Sequence, residues 1–375
     1  METRGRKRAV DAAQKGADEA RKAQEARDAL EARKVRRAQE KKDAQEAKAR
    51  KVAAAHAHIQ QRYLEIKQVG HGTEGQVIAC IPRDAVRSAL RSAPSTLSHA
   101  LRDSVNVVKY LSPNSTVFDT LAEVDALPNI PAHSFVGGFV ELDHDDKIWL
   151  TMPFYAGGNV QGFFQKIGES VPVSFIWHVM IQTLQAVHHV HSHNYSHGDV
   201  FDKNLMLDPA HREYKDYPNV LLCDFGRALP RLGVDTVPSS PTTGRRDDVV
   251  NLADEWHRIA HKTDVKRLDD GFCNCHHYRD REAFGDSDEL YNRLMQLTSL
   301  DRVKTGAVSC DRVAREFLWD MTKKRDALYA ELPLAAEMLF RNNFPTDQEI
   351  EDAIANEEIL EEAEGPSAKK RKTTG

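Results

Sequence analysis

His197-Gly198-Asp199-Val200-Phe201-Asp202-Lys203-Asn204 and the Cys223-Asp224-Phe225-Gly226 that follows it decide how this chain is read. A short apolar run, Asn204-Leu205-Met206-Leu207-Asp208, leaves the first stretch, and another, Asn219-Val220-Leu221-Leu222-Cys223, leads into the second. Apolar runs of this length predict strands, here two strands joined as a hairpin. Such a hairpin holds Asp199, Asn204 and Asp224 on neighbouring loops. That set suits phosphoryl transfer with a divalent metal. One carboxylate positions an acceptor hydroxyl, while an amide and a second carboxylate hold Mg²⁺ against nucleotide phosphates.

An HxD, an Asn five residues after its Asp, and then a DFG together resemble the protein kinase superfamily. HxDxxxxN alone recurs by chance; its pairing with DFG, with apolar runs feeding both, is the specific signal. The resemblance covers about residues 63–345. It implies a two-lobed α+β fold with a five-stranded antiparallel N-lobe (63–154) and a helical C-lobe (155–345), ATP and Mg²⁺ lying between them. It also implies that Asp199 positions and deprotonates the acceptor hydroxyl and that Asn204 and Asp224 hold the metal.

The N-lobe half of the pattern begins at Tyr63, where Tyr63-Leu64-Glu65-Ile66-Lys67-Gln68-Val69 alternates as a strand does. It runs into Gly70-His71-Gly72-Thr73-Glu74-Gly75-Gln76-Val77, whose glycines let backbone N–H groups approach phosphate oxygens. The run joins two strands rather than opening a helix, which disfavours a dinucleotide-binding fold. It is similar to the kinase glycine-rich loop, which implies Gly70, Gly72, Gly75 and Val77 as nucleotide contacts. Pro82 to Ser104 predicts a long loop or an inserted short helix. In the strand Val105–Leu111, Lys109 falls where the family's third-strand lysine pairs the phosphates, with Val107 in place of the usual Ala. Val117 to Leu127 predicts a helix with Phe118, Leu121, Val124 and Leu127 on one face. Glu123, four residues before Leu127, matches the family's ExxxL helix and is expected to pair with Lys109, with Asp119 the weaker competitor. Phe135–Leu142 and Lys147–Met152 predict the fourth and fifth strands. After them Pro153–Gly158 resembles the hinge, with Met152 as gatekeeper and Phe154 and Tyr155 offering backbone groups to adenine.

The C-lobe half departs from the family at several points. Gly198 replaces the usual Arg of HRD, a feature shared with small-molecule phosphotransferases such as aminoglycoside and choline kinases. Phe201 stands where Ser/Thr kinases carry a lysine that steadies the γ-phosphate. Lys203 falls where tyrosine kinases place an Arg for that task, and is the expected substitute. No APE follows the DFG. Thr243-Gly244-Arg245-Arg246-Asp247-Asp248 resembles the casein kinase family's SRRDD lead-in to the DxWSL helix, here Asp248–Leu252. Arg245 and Arg246 are candidates for binding an acidic or phosphorylated acceptor, or are ordinary surface arginines. The helix predicted over Pro172–Asn194 carries His188, His189, His191 and His193 without matching metal-ligand spacing, so solvated or capping histidines are expected. Cys273-Asn274-Cys275-His276-His277 is too crowded for a tetrahedral zinc site. Helical periodicity returns from Leu290 to Arg341.

Outside the kinase-like region, residues 1–62 are almost all Ala, Glu, Gln, Lys, Arg and Asp. They predict a charged arm, helical or disordered, whose sharper reading is a helix that binds a partner. Val10, Leu30, Val35, Val52 and Ile59 keep no heptad, so a coiled coil lacks support. Residues 346–375 read as an acidic, then basic, disordered tail ending in Lys369-Lys370-Arg371-Lys372, the kind of patch that importin-type receptors read. The net charge of −5 argues against general nucleic-acid binding. Five cysteines without framework spacing predict a reducing compartment, and the lack of a long apolar run excludes a membrane helix from the reading. The expectation is a nuclear or cytoplasmic enzyme using ATP and Mg²⁺ to phosphorylate Ser or Thr on protein substrates. A small-molecule phosphotransferase and a pseudokinase scaffold, the latter favoured by Phe201 and the long arm, stay open.

Overall fold

Strong helix formers without an interrupting proline give α1, Glu2–Arg62, a single 61-residue helix in this computed structural model. The chain divides into two units, residues 1–57 and residues 58–375. Described are residues 2–72, 75–92, 100–111, 117–143, 149–167, 171–230, 245–260, 288–298 and 308–364. The zinc-excluded run 273–277, the segment without an APE and the basic cluster 369–372 lie outside them. Within the first unit, Leu30 and Val35 are exposed on α1. Among the described residues no helix is long and apolar enough to cross a membrane.

The second unit starts with the last turn of α1. Ile59 is fully buried, His58 stacks on Trp149 with ring centroids 5.9 Å apart, and Arg62 forms an ion pair with Glu141. The boundary expected at residue 62 therefore falls a turn earlier. β1 (Tyr63–Gly72) and β2 (Gly75–Pro82) form an antiparallel pair, followed by α2 (Arg83–Ser92), β3 (Asn106–Leu111) and α3 (Val117–Ala126). β4 (Glu141–Leu142) and β5 (Trp149–Pro153) complete a five-stranded antiparallel sheet in the order β1-β2-β3-β5-β4. The insert after β2 is thus partly helical. Its Val86 and Ala89 join Leu64, Ala79 and Ile81 in the N-lobe core.

The fourth strand is shorter than the sequence predicts. Phe135 and Val136 leave the N-lobe sheet and pair with the C-lobe instead: the Leu222 N–H donates to the Phe135 carbonyl (2.9 Å), and Gly137 N–H to that of Leu222 (2.8 Å). Both are apolar residues buried in the C-lobe core, and burial there outweighs strand alternation.

Past the hinge come α4 (Val160–Ile167), α5 (Val173–Ser192), β6 (Tyr195–Ser196), β7 (Leu205–Asp208), β8 (Asn219–Leu222) and β9 (Leu229–Pro230). β7 and β8 are the expected hairpin, with Leu205 opposite Leu222. α5 is apolar around most of its circumference and lies at the centre of the C-lobe core. Helices α6 (Arg245–Ala260), α7 (Glu289–Leu297), α8 (Cys310–Ala327) and α9 (Leu334–Asn342) follow. α7 and α8 are capped by Asp288 and Ser309, whose side chains accept the Tyr291 and Arg312 N–H groups.

The acidic segment after Pro345, read from the sequence as a disordered tail, instead forms α10, Asp347–Glu364. Thr346 and Glu349 make a capping box, Thr346 N–H to Glu349 Oε2 (2.7 Å) and Glu349 N–H to Thr346 Oγ1 (3.2 Å). One face carries Ile350 and Ile354 into the N-lobe core beside Leu64 and Ile81. Around that face Lys67 pairs with Glu349 (2.6 Å), Arg102 with Asp347 (3.0 Å) and Arg83 with Glu357. Just before it, Phe344 packs on the hinge Phe154, ring centroids 5.4 Å apart. Ile350→Ala is expected to destabilise the protein by about 2–5 kcal/mol. Substitution at the exposed neighbour Glu351 should change stability by less than about 0.5 kcal/mol. Urea unfolding of both variants tests this, and equal midpoints would show that α10 adds nothing to the core.

Candidate active site

β3 runs between β2 and β5, so Lys109, opposite Val77 and Leu150, projects from a central strand. It is only 7% exposed, a position a lysine occupies when its charge is matched. Its Nζ lies 2.8 Å from Glu123 Oε2 and 2.7 Å from Asp224 Oδ1. Glu123, 1% exposed on α3, also accepts the Phe225 N–H through Oε1 (3.3 Å). Burial disfavours the charge on Lys109, but the two carboxylates outweigh it and hold its pKa above the ordinary lysine range. Burial raises Glu123 even though Lys109 pulls it down. At Asp224 burial is outweighed by Lys109, and its pKa is lowered. Asp224 keeps a left-handed backbone, φ +67°, uncommon for a residue with a side chain.

The β7–β8 hairpin brings the His197–Asn204 loop against this cluster, the Cys223 N–H donating to the Asn204 carbonyl (2.8 Å). Both donor contacts of the Asn204 amide nitrogen go to Asp199, to its carbonyl and to Oδ2, each 2.9 Å. That turns the Asn204 carbonyl oxygen away from Asp199. His197 links the two motifs. Its Nδ1 accepts the Asp199 N–H (3.2 Å), so its Nε2 carries the proton and donates to the Cys223 carbonyl (3.1 Å). Its ring meets Phe225 edge-on at 4.7 Å. Fully buried Asp248, on α6, accepts the N–H groups of His197 (2.7 Å) and Gly198 (2.6 Å) and bonds His191 Nε2 (2.8 Å).

Asp202, in the same loop, points the other way, toward α6. It stands beside the buried Glu255, and Arg258 reaches Glu255 at 3.0 Å and Asp202 at 3.7 Å. Burial, with the charge of Asp202 adding to it, pushes Glu255 up to about 8. A carboxyl raised in the fold binds a proton that the unfolded chain lacks, so its stabilisation is complete below the unfolded value of 4.5 and declines as pH rises through about 8. Wild type should lose stability relative to Glu255→Gln over that window, by at most about 1.4 kcal/mol per pH unit. Chemical denaturation at pH 5.5 and 8.5 checks it; parallel curves for the two proteins would rule it out.

Of the residues the sequence nominated, Lys109, Glu123 and Asp224 form one cluster and Asp199 and Asn204 another beside it. Gly70 and Gly72 end β1, and Gly75 and Val77 begin β2, with Gly72 opposite Gly75; Thr73 and Glu74 are outside the described residues. Met152, opposite Val107, packs with Val124, Leu142 and Leu150. Tyr155 is half-buried after β5. Lys203 is exposed and Phe201 half-buried. Arg245 and Arg246 open α6, their side chains outside the described residues. Of the helix histidines, His191 is buried on Asp248 rather than solvated, because the carboxylate it meets belongs to a distant helix. Among the described residues no group of three or more His, Cys, Asp or Glu side chains is arranged to hold a metal. The sequence reading did not pick out Arg227, Nη1 of which stands 3.4 Å from Asp199 Oδ1. A cation directly after the DFG was its one visible sign.

The side-chain amide oxygen of Asn204 and the carboxylate of Asp224 are the kind of hard oxygens that a divalent cation beside phosphates takes. Residues 63–231 match the family model described as "Protein kinase domain". The chain is 27% identical over 103 residues to human myotonin-protein kinase, covering 28% of this chain and 15% of that one. It is 22% identical over 189 residues to the serine/threonine-protein kinase PKH3 of Saccharomyces cerevisiae, covering 48% of this chain and 19% of that one. To human mitogen-activated protein kinase kinase kinase kinase 3 it is 25% identical over 167 residues, 44% of this chain and 16% of that one. The chain thus spans less than a fifth of each of these curated relatives. With the five-stranded lobe, the Lys109–Glu123 pair and the joined HGD and DFG loops, residues 63–231 belong to the protein kinase superfamily.

Proposed function

We propose that this chain is a protein kinase that moves the γ-phosphate of ATP, with Mg²⁺, to Ser or Thr hydroxyls of protein substrates. The observation that carries the reading is the Lys109 contact with both Glu123 and Asp224 (2.8 and 2.7 Å), beside an Asp199 held by Asn204. When bound, the metal offsets charge on the phosphate oxygens. Asn204 and Asp224 are its protein ligands in this reading. Lys109, fixed by Glu123, holds the phosphates. Asp199 accepts the acceptor proton. Gly70, Gly72, Gly75 and Val77 cover the phosphates, Met152, Phe154 and Tyr155 line the adenine site, and Lys203 steadies the γ-phosphate. Little covalent chemistry falls to the protein, and catalysis is positioning and charge complementarity. The names of the relatives, two of them printed as serine/threonine or mitogen-activated kinases, support a protein acceptor.

The test is transfer of labelled γ-phosphate to casein and to the chain itself, with Asp224→Asn alongside. Incorporation that Asp224→Asn abolishes supports the reading. Tight nucleotide binding without transfer to any protein would overturn it and favour a small-molecule acceptor or a scaffold.

A further inference from the structure

The catalytic loop carries Gly198 where related loops carry an arginine, yet a guanidinium still stands at Asp199. It comes from Arg227, directly after the DFG. Arg227 is clamped on both sides. Before it, Phe225 is buried against His197, and the Ala228 N–H donates back to the Phe225 carbonyl (2.9 Å). After it, β9 pairs with β6, Leu229 opposite Ser196 and Pro230 opposite Tyr195. Gly198 has φ +80°, and a Cβ there would lie 2.5 Å from the Arg227 carbonyl oxygen. Glycine at 198 therefore lets the backbone of residue 227 close on the loop, and that approach brings its side chain to Asp199.

Arg227 meets one carboxylate oxygen of Asp199, Oδ1, while Asn204 holds the other. A guanidinium carries five N–H donors in a rigid fork, and contact with one oxygen leaves most of them. The side chain is 61% exposed, so these donors face solvent beside the carboxylate that the acceptor hydroxyl must reach. An exposed ion pair of this kind adds little stability.

Resting on the kinase reading above, we propose that Arg227 is a specificity-determining residue. The outer edge of its guanidinium takes a carboxylate or phosphate on the acceptor chain beside the hydroxyl that Asp199 activates, so this enzyme selects acidic or already phosphorylated sequences. An anion on the acceptor and Asp199 then share one guanidinium, each taking different N–H donors of the fork.

The full chain is assayed with Mg²⁺ and ATP on Ser peptides bearing Ala, Asp or phosphoserine at each position flanking the acceptor. Wild type should favour an anionic neighbour by about tenfold or more in kcat/KM, the scale of one charged hydrogen bond. Arg227→Ala should bring that ratio close to one, mainly through KM. Arg227→Glu should favour a peptide with a flanking Lys. A preference for phosphoserine alone identifies a primed substrate, and one shared by Asp identifies an acidic one. No preference in wild type, or one that survives in Arg227→Ala, overturns the proposal. The same peptides with Ala for the acceptor Ser, followed by fluorescence anisotropy, separate this from the kinase reading. Arg227-dependent binding of anionic peptides without transfer upholds the site and sinks the reaction, whereas equal binding to both proteins sinks the site.

Discussion

Asp199→Asn is expected to lower kcat for phosphate transfer about a thousandfold, within the range measured for loss of a positioned general base. KM for ATP should stay close to wild type. The split follows from geometry. Asp199 is held at the loop by the Asn204 amide and by Arg227, and neither contact involves the Lys109 cluster. An amide at 199 still accepts from Asn204 and keeps the loop in place, but it has no carboxylate to take a proton. Folding should change by less than about 0.5 kcal/mol, since the side chain is partly exposed and the pair it loses is too. Steady-state kinetics with ATP varied at saturating acceptor give both constants. A kcat within tenfold of wild type would show that Asp199 does not act as the base, and a large rise in KM alone would make it a binding residue.

The polar centre was legible because its spacings are local. Asp199 and Asn204 lie five apart, Asp224 follows an apolar run, and Lys109 and Glu123 each sit in a periodic element. What escaped the sequence depends on pairing across the fold. Phe135 and Val136 read as strand residues, and only the docking of that segment against Leu222 makes them C-lobe core. Asp202 is remote in sequence from Glu255 and Arg258, and each of the three is unremarkable singly. α10 was hidden by its composition: the charges of 347–364 dominate a simple count, while Ile350 and Ile354 sit one helical turn apart on a single face. The Thr346–Glu349 capping box was the local sign of it. Arg227 escaped because its significance depends on Gly198, twenty-nine positions earlier in the chain, having a left-handed backbone that admits its carbonyl.

Lys109→Met should abolish transfer and also destabilise the fold, with a pH dependence that separates the two effects. Lys109 is the one cation in contact with Glu123 among the described ion pairs, and Glu123 is 1% exposed. Breaking a buried pair from one side costs about 3–5 kcal/mol when the remaining charge stays. Glu123 escapes part of this by keeping a proton, since burial already raises its pKa and the opposing Lys109 charge is gone. The folded variant then holds a proton that the unfolded chain releases, so its stability is least affected near pH 5 and falls as pH rises. Wild type shows less of this loss over the same range, because there the Lys109 charge pulls Glu123 down against its burial. The gap between the two proteins should therefore widen from pH 5.5 to 8.5 in urea unfolding. Asp224, partly exposed, can regain water and adds less. Adding Glu123→Gln to Lys109→Met removes the buried charge while keeping an acceptor for the Phe225 N–H. The double variant should regain stability at pH 8.5 and remain without transfer activity. A gap that does not vary with pH, or a double variant no more stable than the single one, would mean that Glu123 is not the group left unpaired. Recovery of activity together with stability would mean that Lys109 serves the fold and not the phosphates.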